Sequence, residues 1–137
     1  MKQLQLHILT PEKDILKQEA DEVIIPTTAG VIGVLPEHTP LVSQIAPGEI
    51  LVKHAGKTSP LAVFGGFAEV SDDNVTILAD YAAHVEDIEL AKVEEAKERA
   101  EKLMKEKLSQ VDMIHAEAEL QKALMQLKVV RKYKHHA

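Results

Sequence analysis

The sequence contains no cysteine and no tryptophan, and phenylalanine and tyrosine together supply only four aromatic side chains among its 137 residues. Without cysteine there can be no disulfide bonds, thiol nucleophiles or thiolate zinc sites. With aromatic residues at 3% of the chain, there is little from which to build a stacking platform for single-stranded nucleic acid. We therefore expect no nucleic-acid partner, and a core made of Val, Ile, Leu and Ala.

Long apolar segments are also missing. The longest unbroken run, Leu61 to Ala68, spans eight residues, whereas a membrane-spanning helix needs about 20. Residues 1–9 alternate polar and apolar side chains, unlike the apolar centre of a signal peptide. The sequence thus predicts no direct membrane insertion, so any membrane association must come through partners.

Glycine and proline are confined to one part of the chain, because all six glycines and all six prolines precede residue 67. In that part, short apolar segments alternate with turn residues, as where Leu4, Leu6 and Ile8 alternate with polar side chains. Eight or nine short strands at a spacing of about 8–12 residues are typical of an all-β sandwich or flattened barrel. We predict this domain over residues 1–86, with Gly65-Gly66, as turn or bulge glycines, separating two strands.

The remaining residues, 87–137, show the periodicity of two amphipathic helices. The first apolar stripe consists of Val93, Ala96, Ala100 and Leu103. The second consists of Met113, Ala116, Leu120, Ala123, Leu127 and Val130. Ser109 or Asp112 is the expected N-cap between them. The pattern predicts a C-terminal antiparallel two-helix hairpin, marginally stable when undocked because its stripes hold few large side chains.

Charge is distributed unevenly between these two parts. Residues 1–87 carry thirteen acidic side chains and five lysines, whereas residues 88–137 carry nine acidic and eleven basic side chains. No acidic residue follows Glu119, while five basic ones do. This basic run suits a separate partner surface, or a solvated helix end at which the macrodipole favours cations. The sequence leaves both interpretations open.

No combination of residues assembles a catalytic centre. The segment Ala55-Gly56-Lys57-Thr58 resembles the end of a phosphate-binding P-loop, but the other glycine of that motif is replaced by Leu51. The seven histidines form no metal-binding pair of the HxH or HxxxH type, and His135-His136 is interpreted as a solvated tail. No G-x-S-x-G sequence occurs. We therefore predict no catalytic site, no metal site and no required cofactor.

Three stretches resemble the ε subunit of bacterial F-type ATP synthases. Residues 30–41, GVIGVLPEHTPL, are similar to the family pattern G-x-L-G-x-x-P-x-H-x-P-L. Residues 65–70, GGFAEV, are followed at 74–79 by NVTILA. The third stretch, EAKERAE at 95–101, matches the A-x-x-R-A pattern of the first helix. The resemblance covers nearly the whole chain.

This resemblance implies a non-catalytic subunit of the central stalk, peripheral on the cytoplasmic side of the bacterial inner membrane. The sandwich would bind the γ subunit and the membrane c-ring, coupling proton translocation to ATP synthesis in the α/β head. The hairpin would be a regulatory arm, either folded on the sandwich or extended along γ. In the extended form, its basic second helix would meet an acidic segment of β and restrain ATP hydrolysis.

Particular residues follow from the same resemblance. Val31 and His38 would lie near the c-ring, and many bacterial members carry Glu at the position of Val31, so one polar contact is absent here. The contacts with the head would be made by Lys122, Lys128, Arg131 and Lys132. These assignments are implied by the family and not by the spacing of the residues.

A nucleotide motif of some family members, I/L-D-x-x-R-A, reads here as IELAKV at residues 88–93, with three positions changed. The resemblance implies a weak regulatory ATP site formed by Ile88, Glu89, Lys92, Arg99, Lys122 and Gln126. Two alternatives remain open. One is a free-standing ATP-sensing module whose hairpin closes on nucleotide, which these changes weaken. The other is an adaptor whose hairpin forms a coiled coil with an unrelated partner.

Overall fold

The computed structural model describes residues 2–134, the last without its side chain. The chain forms two compact units and passes from one to the other between His84 and Val85. The first unit contains strands and the second helices, so the predicted fold class, a β-sandwich followed by two helices, is confirmed. The division falls two residues before the boundary expected from the sequence.

Eight strands make up the described part of the first unit. Their bounds are β1 Leu4–Leu9, β2 Asp14–Ala20, β3 Glu22–Thr27, β4 Gly30–Val34, β5 Leu41–Gln44, β6 Gly48–His54, β7 Lys57–Ser71 and β8 Asn74–His84. The second unit consists of a single 3-10 turn, Val85–Asp87, followed by the helices α1 Leu90–Met104 and α2 Gln110–Lys134.

The strands pair in the order β2-β1-β8-β7-β6-β3-β4, and β5 adds to β7. All neighbours are antiparallel except β1 and β8, which run parallel. Residues 57–63 of β7 pair with β6, whereas residues 67–70 pair with β5. Since β7 changes partner along its length, it belongs to both layers of the sandwich, and the bridge between Thr27 and Ile45 joins the layers again.

One aliphatic core lies between the layers. Strand β1 contributes Leu4, Leu6 and Ile8, all fully buried as their alternation predicts. Neighbouring strands add further large aliphatic side chains that are no more than 1% exposed: Val23, Ile25, Val34, Ile50, Val52, Leu61, Val63, Val70, Val75 and Ile77. Full burial of each such side chain contributes roughly 1.5–3 kcal/mol. The sandwich therefore closes without aromatic residues in its core.

Gly65 and Gly66 do not separate two strands, so that prediction is wrong. Strand β7 runs through them with φ angles of +75° and +107°. Before them the core-facing residues are Leu61 and Val63, at odd positions, and after them Ala68 and Val70, at even positions. Only glycine adopts such angles readily. The pair therefore reverses which face of the strand points inward while pairing with β8 continues.

The turn between β6 and β7 is held from outside by Asp21. Its carboxylate accepts a 2.8 Å hydrogen bond from the Gln3 amide and a 2.9 Å bond from the Ala55 backbone N–H. The hydrogen bond from Gln3 lowers the pKa of Asp21 below its ordinary value, and the bond from Ala55 lowers it further by a smaller amount. This turn leads through Gly56 directly into β7.

Helix α2 begins where the sequence predicted a break. The Ser109 hydroxyl accepts a 3.1 Å hydrogen bond from the Asp112 backbone N–H, and the Ser109 carbonyl oxygen accepts a 2.9 Å bond from the Met113 N–H. Ser109 is therefore the N-cap. Asp112 lies in the first turn, where a negative charge is favourable.

The two helices pack against each other as a hairpin, and most of the predicted stripes are buried. On α1, Val93 and Ala100 are buried, but Leu103 is exposed. The buried residues of α2 are Ala116, Ala123, Met125, Leu127, Val129 and Val130. Met125 and Val129 lie outside the predicted stripe, whereas Met113 and Leu120, within it, are only half-buried.

We expect Gly66→Ala to destabilise the sandwich strongly. A Cβ at this position would collide with the Leu78 carbonyl oxygen and would lie 2.7 Å from the Ala79 Cα. Since backbone atoms cannot move aside cheaply, the loss should be about 3 kcal/mol or more in free energy of unfolding. Gly56→Ala is the matched control, because Gly56 also has a positive φ but no atom within 4 Å. That control should lose only about 1–2 kcal/mol. Equal losses in urea unfolding would contradict the close approach of β7 and β8.

Candidate partner-binding surfaces

Three large apolar side chains form an exposed group on one face of the sandwich. Phe67 on β7 lies directly opposite Leu78 on β8, and Val42 on β5 is two positions from Gln44, the other neighbour of Phe67. Val42, Phe67 and Leu78 are 68%, 56% and 52% exposed. We call these three residues the apolar strip. Contiguous apolar side chains left in water are typical of a protein interaction surface.

Sequence reasoning missed the apolar strip. Val42 and Phe67 sit in apolar segments that are typical of buried strands. The signal was the alternation itself. Since Ala68 and Val70 face the core, their neighbour Phe67 must face outward, and Ile77 places Leu78 outward in the same way.

A second exposed apolar group lies at β4 and the turn that follows it. Val31 is 73% exposed and Leu35 is 54% exposed. His38, in the same turn, is half-buried, and its Nδ1 lies 2.7 Å from the Thr39 carbonyl oxygen. Since that carbonyl can only accept, Nδ1 carries the hydrogen. We call Val31, Leu35 and His38 the β4 tip, which includes both residues expected near a membrane ring.

The turn at the β4 tip is tied to distant parts of the sandwich. The Glu37 N–H donates a 2.6 Å hydrogen bond to Asp73 Oδ1. The Lys2 ammonium lies 3.1 Å from Glu37 Oε1 and 3.7 Å from Asp73 Oδ2. The hydrogen bond to Glu37, followed by the charges of Glu37 and Asp73, raises the pKa of Lys2 above its ordinary value.

Half of the predicted nucleotide residues lie at or near the start of α1. Ile88 is buried, whereas Glu89 and Lys92 are exposed. The Lys92 ammonium is 3.6 Å from Glu89 Oε1, one helical turn away. The structure therefore brings Glu89 and Lys92 together as an ion pair, in which each charge partly neutralises the other.

Arg99 lies farther along α1, beside a shallow recess of about 430 Å³. The described residues lining this recess are Glu95, Glu98, Arg99, Lys102, Leu103 and Glu106. Among them, Arg99 is the one member of the predicted nucleotide set. Three carboxylates face two cations there, a charge balance that disfavours a polyphosphate. Lys122 and Gln126 are half-buried on α2, and each has an interaction partner of its own.

The basic run is partly engaged within the hairpin. Arg131 Nη2 lies 4.0 Å from Glu94 Oε1 on α1, and the Lys132 ammonium is 5.5 Å from the centre of the Tyr133 ring. Lys128 is exposed and Lys122 half-buried. The Lys134 side chain lies outside the described residues. Exposed ion pairs contribute only about 0.2–1 kcal/mol, so the Arg131–Glu94 contact can exchange for another partner at little cost.

The residues that the structure describes contain neither a group of metal-binding side chains nor a membrane-spanning helix. Among residues 2–133, no three His, Asp or Glu side chains are grouped so that they could hold a metal ion. His135 and His136 lie outside this range. Neither described helix combines the length and apolar character needed to cross a membrane.

Two family models match consecutive parts of the chain. Residues 3–85 match the β-sandwich domain of the ATP synthase delta/epsilon chain, and residues 86–131 match the long α-helix domain of the same chain. Together they cover nearly all of the sequence.

Curated relatives and solved structures agree with these models. The ATP synthase epsilon chain of Nitratidesulfovibrio vulgaris is 44% identical over 128 residues, covering 93% of this chain and 96% of the relative. That of Caldanaerobacter subterraneus is 41% identical over 133 residues, covering 96% of each. A chain in the Euglena gracilis mitochondrial ATP synthase, in a structure containing F1 and the c-ring, has a TM-score of 0.78 at 28% identity. The match covers 93% of this chain and 81% of the Euglena chain. A chain in a structure of the central stalk and c-ring of the Tetrahymena thermophila mitochondrial ATP synthase shares the fold, with a TM-score of 0.61 at 13% identity. The match covers 94% of this chain and 97% of the Tetrahymena chain.

Proposed function

The chain belongs to the family of ATP synthase delta/epsilon chains, whose members are non-catalytic subunits of that complex, and on this premise we propose its role within it. The chain is a coupling and regulatory subunit of the rotary central stalk. Its sandwich binds the γ subunit and the c-ring, so that proton-driven rotation is transmitted to ATP synthesis in the α/β head. Its helices restrain ATP hydrolysis.

The observation that carries this proposal is the apolar strip. Val42, Phe67 and Leu78 offer aliphatic and aromatic surface on a face of the sheet, where a rigid partner can cover all three at once. A few well-packed side chains that lose all contact with water near the centre of an interface contribute most of its binding energy. We assign this face to the γ subunit, because a subunit that rotates with the central stalk needs a stable contact with γ.

The β4 tip is assigned to the c-ring. Val31 is exposed on β4 and Leu35 directly after it, and the His38 N–H donates a hydrogen bond to the Leu35 carbonyl oxygen. Since Val31 replaces the glutamate of many bacterial relatives, the contact here is apolar at that position. It should therefore depend less on salt than the corresponding contact in those relatives.

The regulatory part of the proposal concerns α2. An acid-free helix end that carries Lys122, Lys128, Arg131 and Lys132 suits an acidic segment of the β subunit. In the hairpin, Arg131 already has a carboxylate partner in Glu94. If the arm extends into the head, that contact is exchanged for one with the β subunit, at a low energetic cost.

The subunit is peripheral, and we place it on the cytoplasmic side of the bacterial inner membrane. Its curated relatives are epsilon chains from bacteria, which supports this location. Its attachment to the membrane is indirect, through the c-ring.

Phe67→Gln combined with Leu78→Gln should weaken binding to the γ subunit at least about tenfold, since two interface side chains lose their apolar contact. Val31→Gln is the matched control, because it also replaces an exposed strand residue but lies at the β4 tip. It should leave γ binding unchanged and weaken binding to the c-ring. Calorimetry with purified γ and with detergent-solubilised ring measures both. Unchanged γ affinity in the double variant would contradict the assignment of this face.

Replacing the four cations Lys122, Lys128, Arg131 and Lys132 by Gln should weaken the inhibition of ATP hydrolysis by the reconstituted head. The inhibition that remains should also depend less on salt, because charged contacts are screened over about 8 Å at 0.15 M. The control removes four cations from the first helix and the connection after it: Lys97, Lys102, Lys105 and Lys107. Loss of inhibition in both variants alike would show a general charge effect instead of a specific basic surface.

For the nucleotide, we propose that this hairpin binds ATP weakly. Lys92 is paired with Glu89, and Gln126 offers no charge to a phosphate. A variant with Glu89→Asp, Lys92→Arg, Lys122→Arg and Gln126→Arg should bind at least about 100-fold more tightly, since two charge-assisted hydrogen bonds are worth roughly 1.5–3 kcal/mol each. Titration calorimetry on the full chain measures the difference. Equal affinities would return the ATP-sensing module to consideration.

A further inference from the structure

Asp73 joins three segments that are far apart in the sequence. Its carbonyl oxygen accepts a 2.8 Å hydrogen bond from the Gln5 N–H at the start of β1. Its Oδ1 accepts the 2.6 Å bond from the Glu37 N–H, and its Oδ2 lies 3.7 Å from the Lys2 ammonium. One residue in the turn between β7 and β8 therefore contacts both the first strand and the turn after β4.

The turn after β4 needs such a contact. Glu37 has a φ of +70°, a left-handed conformation that is unfavourable for a residue with a side chain. Leu35 to Pro40 belong to no strand, and the turn is closed locally by a 3.1 Å bond from the His38 N–H to the Leu35 carbonyl oxygen. A charge-assisted bond to the Glu37 N–H stabilises this conformation over the alternatives.

We infer that Asp73 is a positioning residue for the β4 tip: its carboxylate holds Glu37 in the left-handed conformation that presents Leu35 and His38 to the membrane ring. This inference rests on the proposed contact between the β4 tip and the c-ring. Asp73 itself acts through Glu37. Lys2 supports the arrangement, because its ammonium lies between the two carboxylates.

Asp72 provides a matched comparison within the same turn. Both residues have positive φ, +50° for Asp72 and +62° for Asp73, so replacing either by alanine has a similar backbone cost. The described hydrogen bond of Asp72 is made by its carbonyl oxygen, which accepts from the Asn74 side chain at 3.1 Å. Asp72→Ala therefore removes a carboxylate from the turn without touching the bond to Glu37.

The experiment compares Asp73→Ala, Asp73→Asn and Asp72→Ala in the full chain. In Asp73→Ala, the Glu37 amide should exchange with solvent at least about tenfold faster by NMR, and affinity for detergent-solubilised c-ring should fall about tenfold. Binding to γ should be unchanged. Asp73→Asn keeps an oxygen acceptor, so its Glu37 amide exchange rate and its ring affinity should lie between those of the unmodified chain and Asp73→Ala. Asp72→Ala should behave as the unmodified chain.

Glu37→Gly in the Asp73→Ala background separates positioning from a direct contact. Glycine adopts positive φ without help, so this second change should restore part of the ring affinity. Equal loss of ring binding in Asp72→Ala and Asp73→Ala would overturn the inference, as would an unchanged Glu37 amide in Asp73→Ala. The proposed ring contact fails separately, if Leu35→Gln leaves ring binding unchanged. Whether or not the ring contact exists, the exchange rate of the Glu37 amide tests whether Asp73 stabilises the conformation of Glu37.

Discussion

The pairing of β7 with β8 is the interaction on which the sandwich and both of its candidate surfaces depend. The two strands stay in register from Leu61 and His84 to Ser71 and Asn74, while the other edge of β7 passes from β6 to β5. Their pairing places Phe67 beside Leu78 in the apolar strip. In the turn that connects them, Asp73 accepts the hydrogen bond from the Glu37 N–H in the turn of the β4 tip. A shift of register would therefore disturb both surfaces together.

Much of this architecture could be read from hydrophobic periodicity. Alternation identified β1 and the change to a helical period located the two helices, because each pattern follows from the geometry of one element. Ser109 could be recognised as a cap for the same reason, since its bonds reach only three and four residues ahead. The pair Gly65-Gly66 could not be resolved in this way. A glycine pair suits a turn between two strands as well as an irregularity within one strand, and only the pairing with β8 decides between them.

The candidate surfaces were less accessible from sequence, because they depend on residues that meet through the fold. Val31 and His38 were reached by family resemblance, while their neighbour Leu35 was not singled out. The Arg131–Glu94 contact requires knowing which sides of two helices face each other. The bond between Glu37 and Asp73 joins residues that are 36 positions apart. No local pattern in the sequence encodes such a distance.

The parallel pairing of β1 with β8 has a consequence for biosynthesis. Gln5 pairs with Asn74, roughly 70 residues later in the chain, so β1 leaves the ribosome long before this partner exists. Until then it can form only its local hairpin with β2, and its other edge remains open. An open edge invites pairing with strands of other chains. The sandwich can therefore close only after residue 78 has emerged, and until then the open edge of β1 is a site at which the nascent chain can mispair.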